Sequence, residues 1–269
     1  MPIVASFTSD SVTASLGPSA RRGFALLAAT SDSLPGFVGA QMRCFSCHLD
    51  NGRRPNAMPL VGSYARLPKY QARSGHTINI QERVNACFTR SLAGRAIPTD
   101  GRDMTDIVAY LRFISTGAAA AHIVGLGLPV MPSVPVTDSA HGRVVYAARC
   151  ARCHGANGGG GGIPQAPPLW GARSFSIGAS LARRDRAASF IRYNMPYDSA
   201  GTIDDRTAFD VAAYVLSHAR PDSRGKDNDW PNGDAPRDVP YSTRSHTAFN
   251  PPPLLPPAHR RERRREHHG

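Results

Sequence analysis

Apolar positions repeat with helical period in two widely separated places. Met104, Ile107, Val108, Leu111 and Ile114 sit at the spacing of one buried helix face. Phe209, Ala212, Ala213 and Leu216 repeat the pattern. The periodicity predicts helices over Met104–Ser115 and Ala208–His218. Asp103 and Asp205 lie near their starts, where a carboxylate suits both capping and the helix dipole. Further helices are expected near Gly23, from the apolar run Phe24 to Ala29, and near Gly142. Alternation typical of strands is scarce, so the expected fold class is all-α.

The two helical regions share an order of features. Asp106-Ile107-Val108-Ala109-Tyr110-Leu111 matches Asp210-Val211-Ala212-Ala213-Tyr214-Val215, 104 residues later. Upstream of each lies a Cys-x-x-Cys-His motif, and these are 106 residues apart. Near-equal offsets at both ends imply one module used twice, a duplication rather than a solenoid. The expected organisation is a flexible N-terminus (1–20), a first module (21–116), an Ala/Gly/Pro-rich connector (117–138), a second module (139–242) and a disordered Pro/Arg/His-rich tail (243–269). The run Gly158–Gly162 lacks the Gly-Lys-Ser/Thr of a phosphate loop. It reads as a loop around a cofactor edge.

Cys44-Phe45-Ser46-Cys47-His48 and Cys150-Ala151-Arg152-Cys153-His154 carry the chemistry. Cys-x-x-Cys-His is the attachment motif of c-type haem. The two thiols add across the porphyrin vinyl groups, and the adjacent His reaches the iron. Two such copies predict two covalently bound haems c. The competing zinc reading needs Cys44, Cys47, Cys150 and Cys153 as a tetrathiolate. It leaves His48 and His154 unexplained.

Each iron has room for a second axial ligand, and its identity tunes the potential. In the second copy, Met195 of Asn194-Met195-Pro196 stands 41 residues after His154. That is the expected distal ligand. In the first copy, the equivalent position falls on Cys87, 39 residues after His48. Cys87 is also the one cysteine outside the two pairs. A thiolate there would lower the potential and present sulfur at the haem face. Met58, His76 and Met104 are competing ligands, with His76 the strongest rival. An inert buried cysteine is the bland alternative. Arg66, Lys69, Arg73, Arg83, Arg90 and Arg95 surround Cys87 in sequence. Arg83 lies four residues before it, on the same face of a helix. Arginine forks bind oxyanions bidentately, so the segment suits a small sulfur oxyanion. A basic docking face is the competing reading.

The charge of +12 first raises a nucleic-acid partner. Residues 260–266 supply only part of it, and no zinc-finger, RNP or helix-turn-helix signature occurs, so no nucleic acid is expected. Apolar residues at 41% suit packed cores. No window approaches the roughly 18 apolar residues of a membrane span. Phe24–Ala29 is shorter than the roughly 7–15 residues of a signal core. No leader is evident, although haem attachment to Cys-x-x-Cys-His takes place outside the cytoplasm. The expected location is the periplasm.

These residues resemble the dihaem thiosulfate dehydrogenases. The resemblance runs from Arg21 to Ser242. It is carried by Cys44–Leu49, Asn56–Gly62, Tyr70–Gly75, Gln81–Ser91, Asn194-Met195-Pro196, Asp210–Tyr214 and Arg220-Pro221, with Arg83-x-x-x-Cys87-x-x-Arg90-Ser91 the most specific part. It implies a His48/Cys87 haem at the active site and a His154/Met195 haem as electron exit. Arg73 and Arg83 would hold thiosulfate sulfonates. Two thiosulfates would be joined to tetrathionate, reversibly. Electrons would pass to a small cytochrome c or iron–sulfur protein. Asn194 departs from members with Lys at that place, which argues against a lysine exchanging with Met195. The alternatives are a dihaem subunit of the Sox complex, or an electron-transfer dihaem cytochrome with no substrate of its own.

Overall fold

The computed structural model describes residues 16–116, 125–132 and 136–247. Most of the expected N-terminal segment and tail, and much of the connector, lie outside these residues. The described chain is helical apart from one short hairpin, as the hydrophobic pattern predicts. The helices are α1 (Pro18–Ala28), α2 (Ile80–Ala86), α3 (Arg102–Ser115), α4 (Ser139–Arg149), α5 (Arg184–Asn194) and α6 (Asp205–Leu216). The hairpin pairs β1 (Lys69–Gln71) with β2 (His76–Ile78), antiparallel, with Tyr70 opposite Thr77.

The same crossing occurs twice. α1 packs on α3, and α4 packs on α6. At each contact a glycine lets two backbones meet. A Cβ on Gly23 would sit 1.9 Å from the Asp106 carbonyl oxygen, and one on Gly142 would sit 2.0 Å from that of Asp210. The carboxylates of the same two aspartates are buried and tie the pairs together. Asp106 accepts from Ser19 and from Arg22 (2.7 Å). Asp210 bonds the ring of His141 (2.9 Å) and accepts from the Asp138 amide (2.7 Å). The repeated Asp-x-x-Ala-Tyr segment is therefore the face that receives the first helix of each module.

The caps differ in detail from expectation. Asp204, not Asp205, caps α6, accepting from the Thr207 amide. Asp205 pairs instead with Arg192 (2.7 Å). Asp103 does not cap α3 but meets Arg22 at 2.5 Å. In both cases a neighbouring helix supplies an arginine, which sequence adjacency does not show.

The two modules are interlocked. Phe175, Ala179 and Ala182, all following the second cysteine motif, lie in the apolar core built on α1 and α3. Residues 125–132 of the connector touch both modules, the Pro129 carbonyl accepting from Ser189. The Gly125 and Gly127 carbonyls accept from Asn56 and Met58. Leu128 is buried with Leu49, Ala57 and Phe190. Between Pro221 and residue 247 the chain also forms structure, which its polar composition hides. Trp230, Val239 and Tyr241 are buried together against Ala72 and Ile177.

Substituting Gly142→Ala forces α4 and α6 apart. A loss of about 1–3 kcal/mol is expected, as for overpacked cores. It would be read as a lower midpoint in chemical denaturation, with Gly23→Ala behaving alike.

Candidate active site and haem-binding residues

In both Cys-x-x-Cys-His motifs a single helical turn gathers the three side chains. The His48 amide bonds the Cys44 carbonyl (3.1 Å), and the His154 amide bonds the Cys150 carbonyl (3.0 Å). Each imidazole is oriented from behind. His48 Nδ1 lies 2.5 Å from the Met58 carbonyl oxygen, and His154 Nδ1 lies 3.0 Å from that of Pro167. A carbonyl only accepts, so Nδ1 carries the proton, which leaves Nε2 as the ring atom that would face a metal. All five cysteines are unbridged. Burial pushes the Cys44 and Cys47 thiols up to about 12 and the Cys150 thiol up to about 11. Buried and protonated, these three do not form a thiolate cluster. Among the described residues no group of three or more His, Cys, Asp or Glu is arranged to hold a metal ion. The tetrathiolate zinc alternative is therefore not formed.

A cavity of about 810 Å³ opens beside Cys150, Cys153, His154 and Met195 and reaches Cys47 of the first module. This lies within the range of cofactor sites, roughly 300–1,000 Å³. Its wall is apolar, with Leu169 and Phe190, but Arg54 also lines it. Arg54 Nη1 is buried without a hydrogen-bond partner, a donor suited to a haem carboxylate. The residues present fit c-type haem. The glycine run folds close to this motif. Gly158 packs flat on Trp170, where a Cβ would sit 2.1 Å from the ring, and Gly162 donates to the Cys153 carbonyl.

Cys87 occupies a different environment from the other four thiols. An Asn79/Glu82 capping box fixes the start of α2, and at Cys87 the helix widens into a π turn, Cys87–Ser91. Such turns often mark functional sites. Arg83 Nη1 donates to Cys87 Sγ at 3.1 Å. Burial alone would raise the Cys87 pKa. The Arg83 charge and hydrogen bond and the facing His48 ring outweigh it and bring the thiol down to about 6. The rival ligands lie elsewhere. His76 is on the hairpin, exposed, near Glu82. Met104 is core on α3. The Met58 side chain joins the apolar cluster that includes Met195.

Arg73 is confined on three sides. Its Nη1 donates to the Gly178 carbonyl (2.7 Å), its Nε lies 3.8 Å from Asp229, and its guanidinium covers the Trp230 ring at 4.4 Å. Arg90 reaches the same carboxylate at 2.5 Å. From the second module, Arg183 pairs with Asp238 (2.6 Å), and Arg186 donates to Ser180 Oγ (3.2 Å) close enough to feel the charge of Arg83. Five arginines thus face two carboxylates, and the surplus is positive. Of these residues the sequence singles out Arg73, Arg83, Arg90 and Cys87. Sequence reasoning missed Arg183, Arg186, Asp229, Trp230 and Tyr241, which come from more than 80 residues away and carry no motif.

Residues 38–120 match the family model described as SoxA/TsdA, cytochrome c domain, and residues 137–215 match that of cytochrome c oxidase, cbb3-type, subunit III. Thiosulfate dehydrogenase of Allochromatium vinosum is 41% identical over 77% of this chain and 80% of its own length. That of Psychrobacter arcticus is 38% identical over 83% of this chain and 70% of its own. The chain belongs to the thiosulfate dehydrogenase family. The thiosulfate dehydrogenase (TsdBA) of Marichromatium purpuratum, as isolated, superposes with a TM-score of 0.75 at 32% identity. That match covers 84% of this chain and 52% of the other.

Like the family, this thiosulfate dehydrogenase relative is a haem oxidoreductase built from two cytochrome c domains, with haem c bound covalently. Among the described residues no helix is long and apolar enough to cross a membrane. Intact mass of protein matured with its haems should show two haem additions. Cys150→Ser with Cys153→Ser should remove one of them and leave the other.

Proposed function

We propose that this protein oxidises thiosulfate at Cys87, joining two molecules into tetrathionate and passing two electrons to an external acceptor, with the reverse reaction open to the same site. The Arg83–Cys87 contact of 3.1 Å carries this reading. It supplies a sulfur nucleophile and an oxyanion fork on one helix face. In this reading the first module, 21–116, uses Cys44, Cys47, His48 and Cys87. The second, 139–242, uses Cys150, Cys153, His154 and Met195. When bound, c-type haem supplies one-electron redox chemistry, so the two together accommodate an electron pair.

The Cys87 thiolate and the outer sulfur of one thiosulfate form an S–S bond, and two electrons leave. A second thiosulfate attacks the former outer sulfur. Tetrathionate departs, and the Cys87 thiolate is restored. Two thiosulfates bring four negative charges to one place. Arg73 and Arg83 offset that repulsion where it grows towards the transition state. The arginine surplus at the module interface supports an anionic substrate over a neutral one. Asn194 is fully buried and donates to the Asn56 carbonyl across the interface (2.8 Å). It is occupied in holding the modules together beside Met195. The acceptor would be a small cytochrome c or iron–sulfur protein, and the compartment the periplasm, where haem attachment occurs.

Haem-loaded protein should reduce ferricyanide when given thiosulfate. Cys87→Ala should abolish this while both haems stay attached. Arg83→Ala should cut kcat/KM by about 10²-fold, the scale for losing one oxyanion donor. An active Cys87→Ala enzyme would refute the role of this sulfur, and an inactive parent would leave an electron carrier.

A further inference from the structure

The last part of the second module returns to the first and closes on Arg73. Trp230 donates its amide to the Arg73 carbonyl (2.9 Å). Pro231 packs against Gly75, where a Cβ would sit 2.5 Å from the proline ring. Asn232 donates to the Tyr70 hydroxyl (2.9 Å). These contacts set the register of the segment on the β1–β2 turn. They deliver one buried carboxylate, Asp229, 2% exposed, between two arginines. The Tyr241 hydroxyl donates to it at 2.7 Å.

We propose that Asp229 is a positioning residue for oxyanion recognition, acting through Arg73, with Trp230 and Tyr241 holding it in place. The proposal rests on the reading that Arg73 binds a thiosulfate sulfonate. The Arg73 guanidinium has five N–H donors in a fixed plane. Gly178 takes one, Asp229 draws Nε, and Trp230 covers a face. The Nη2 donors and the second Nη1 hydrogen remain for a substrate oxygen. Asp229 also cancels the repulsion between Arg73 and Arg90. Without that charge, two buried cations share a site with no counter-ion, and the guanidinium has reason to turn away. The carboxylate therefore spends its charge on holding a donor in place, not on the sulfur chemistry. Its loss should weaken substrate binding in the ground state and transition state alike, which raises KM and spares kcat.

The test uses the haem-loaded enzyme with thiosulfate and ferricyanide, comparing Asp229→Asn, Arg73→Lys and the double variant. Asn keeps the shape and an acceptor for Tyr241 but removes the charge. Asp229→Asn should raise KM about tenfold and change kcat by less than about twofold, the signature of lost uniform binding. Haem absorption spectra and reduction potentials should match the parent, which a general loosening of the fold would disturb. The double variant should be no worse than Arg73→Lys alone, because groups acting as one unit are not additive. An unchanged KM in Asp229→Asn, or an additive double variant, beside a raised KM in Arg73→Lys overturns the proposal alone. An unchanged KM in Arg73→Lys overturns the Arg73 assignment and the proposal together. Should Asp229→Asn not accumulate with haem, Tyr241→Phe decides. A KM rise of about two- to threefold, the low end of the net contribution of one hydrogen bond, supports the proposal, and no rise overturns it.

Discussion

Positive charge packed against positive charge at the module interface is the constraint on which the site depends. Arg73, Arg83, Arg90, Arg183 and Arg186 come from both modules, and among the described residues the carboxylates paired with them are Asp229 and Asp238, with the Cys87 sulfur facing Arg83. Like charges held this close repel strongly wherever water is partly excluded. The fold tolerates the arrangement because Arg90 and Arg183 take the two carboxylates, while a carbonyl and an aromatic face hold Arg73, a serine holds Arg186 and the Cys87 sulfur holds Arg83. The remaining surplus is a standing attraction for small anions. That ties assembly of the two modules to the chemistry, since neither alone gathers the five arginines.

A rigid frame makes such crowding possible. The paired glycine crossings at Gly23 and Gly142 bring helix backbones into contact. The buried aspartates beneath them are satisfied by Ser19 and Arg22 in one module and by His141 and the Asp138 amide in the other. Duplication kept the geometry and changed the polar partners. The divergence is larger at Cys87 and Met195. Cys87 stands on a widened helical turn beside an arginine. Met195 follows α5 within an apolar cluster. One scaffold thereby places two sulfur side chains in unlike surroundings.

The His48 ring is held by the Met58 carbonyl. Met58 in turn donates its amide to Gly127 of the connector, and Asn56 accepts from Asn194 beside Met195. A short run of main chain thus links the first motif's histidine, the connector and the second motif's distal segment. The geometry near one motif is mechanically continuous with that near the other, which suits sites that must hold a fixed separation.

The sequence by itself determined the helical class, the duplication, the two haem-attachment motifs and the prominence of Cys87 and Arg83. These features are local. A covalent motif needs its residues on one turn, helical periodicity is written in spacings of three and four, and Arg83 and Cys87 share a face because they are four apart. Only the tertiary structure decided what surrounds Arg73, why Asp205 and Asp103 turn to arginines instead of caps, and that residues 229–241 pack against the first module. Asp229 and Arg73 are separated by more than 150 residues, and nothing in either neighbourhood signals the other. Their meeting follows from how two modules interlock, a matter of packing and charge balance that no local spacing encodes.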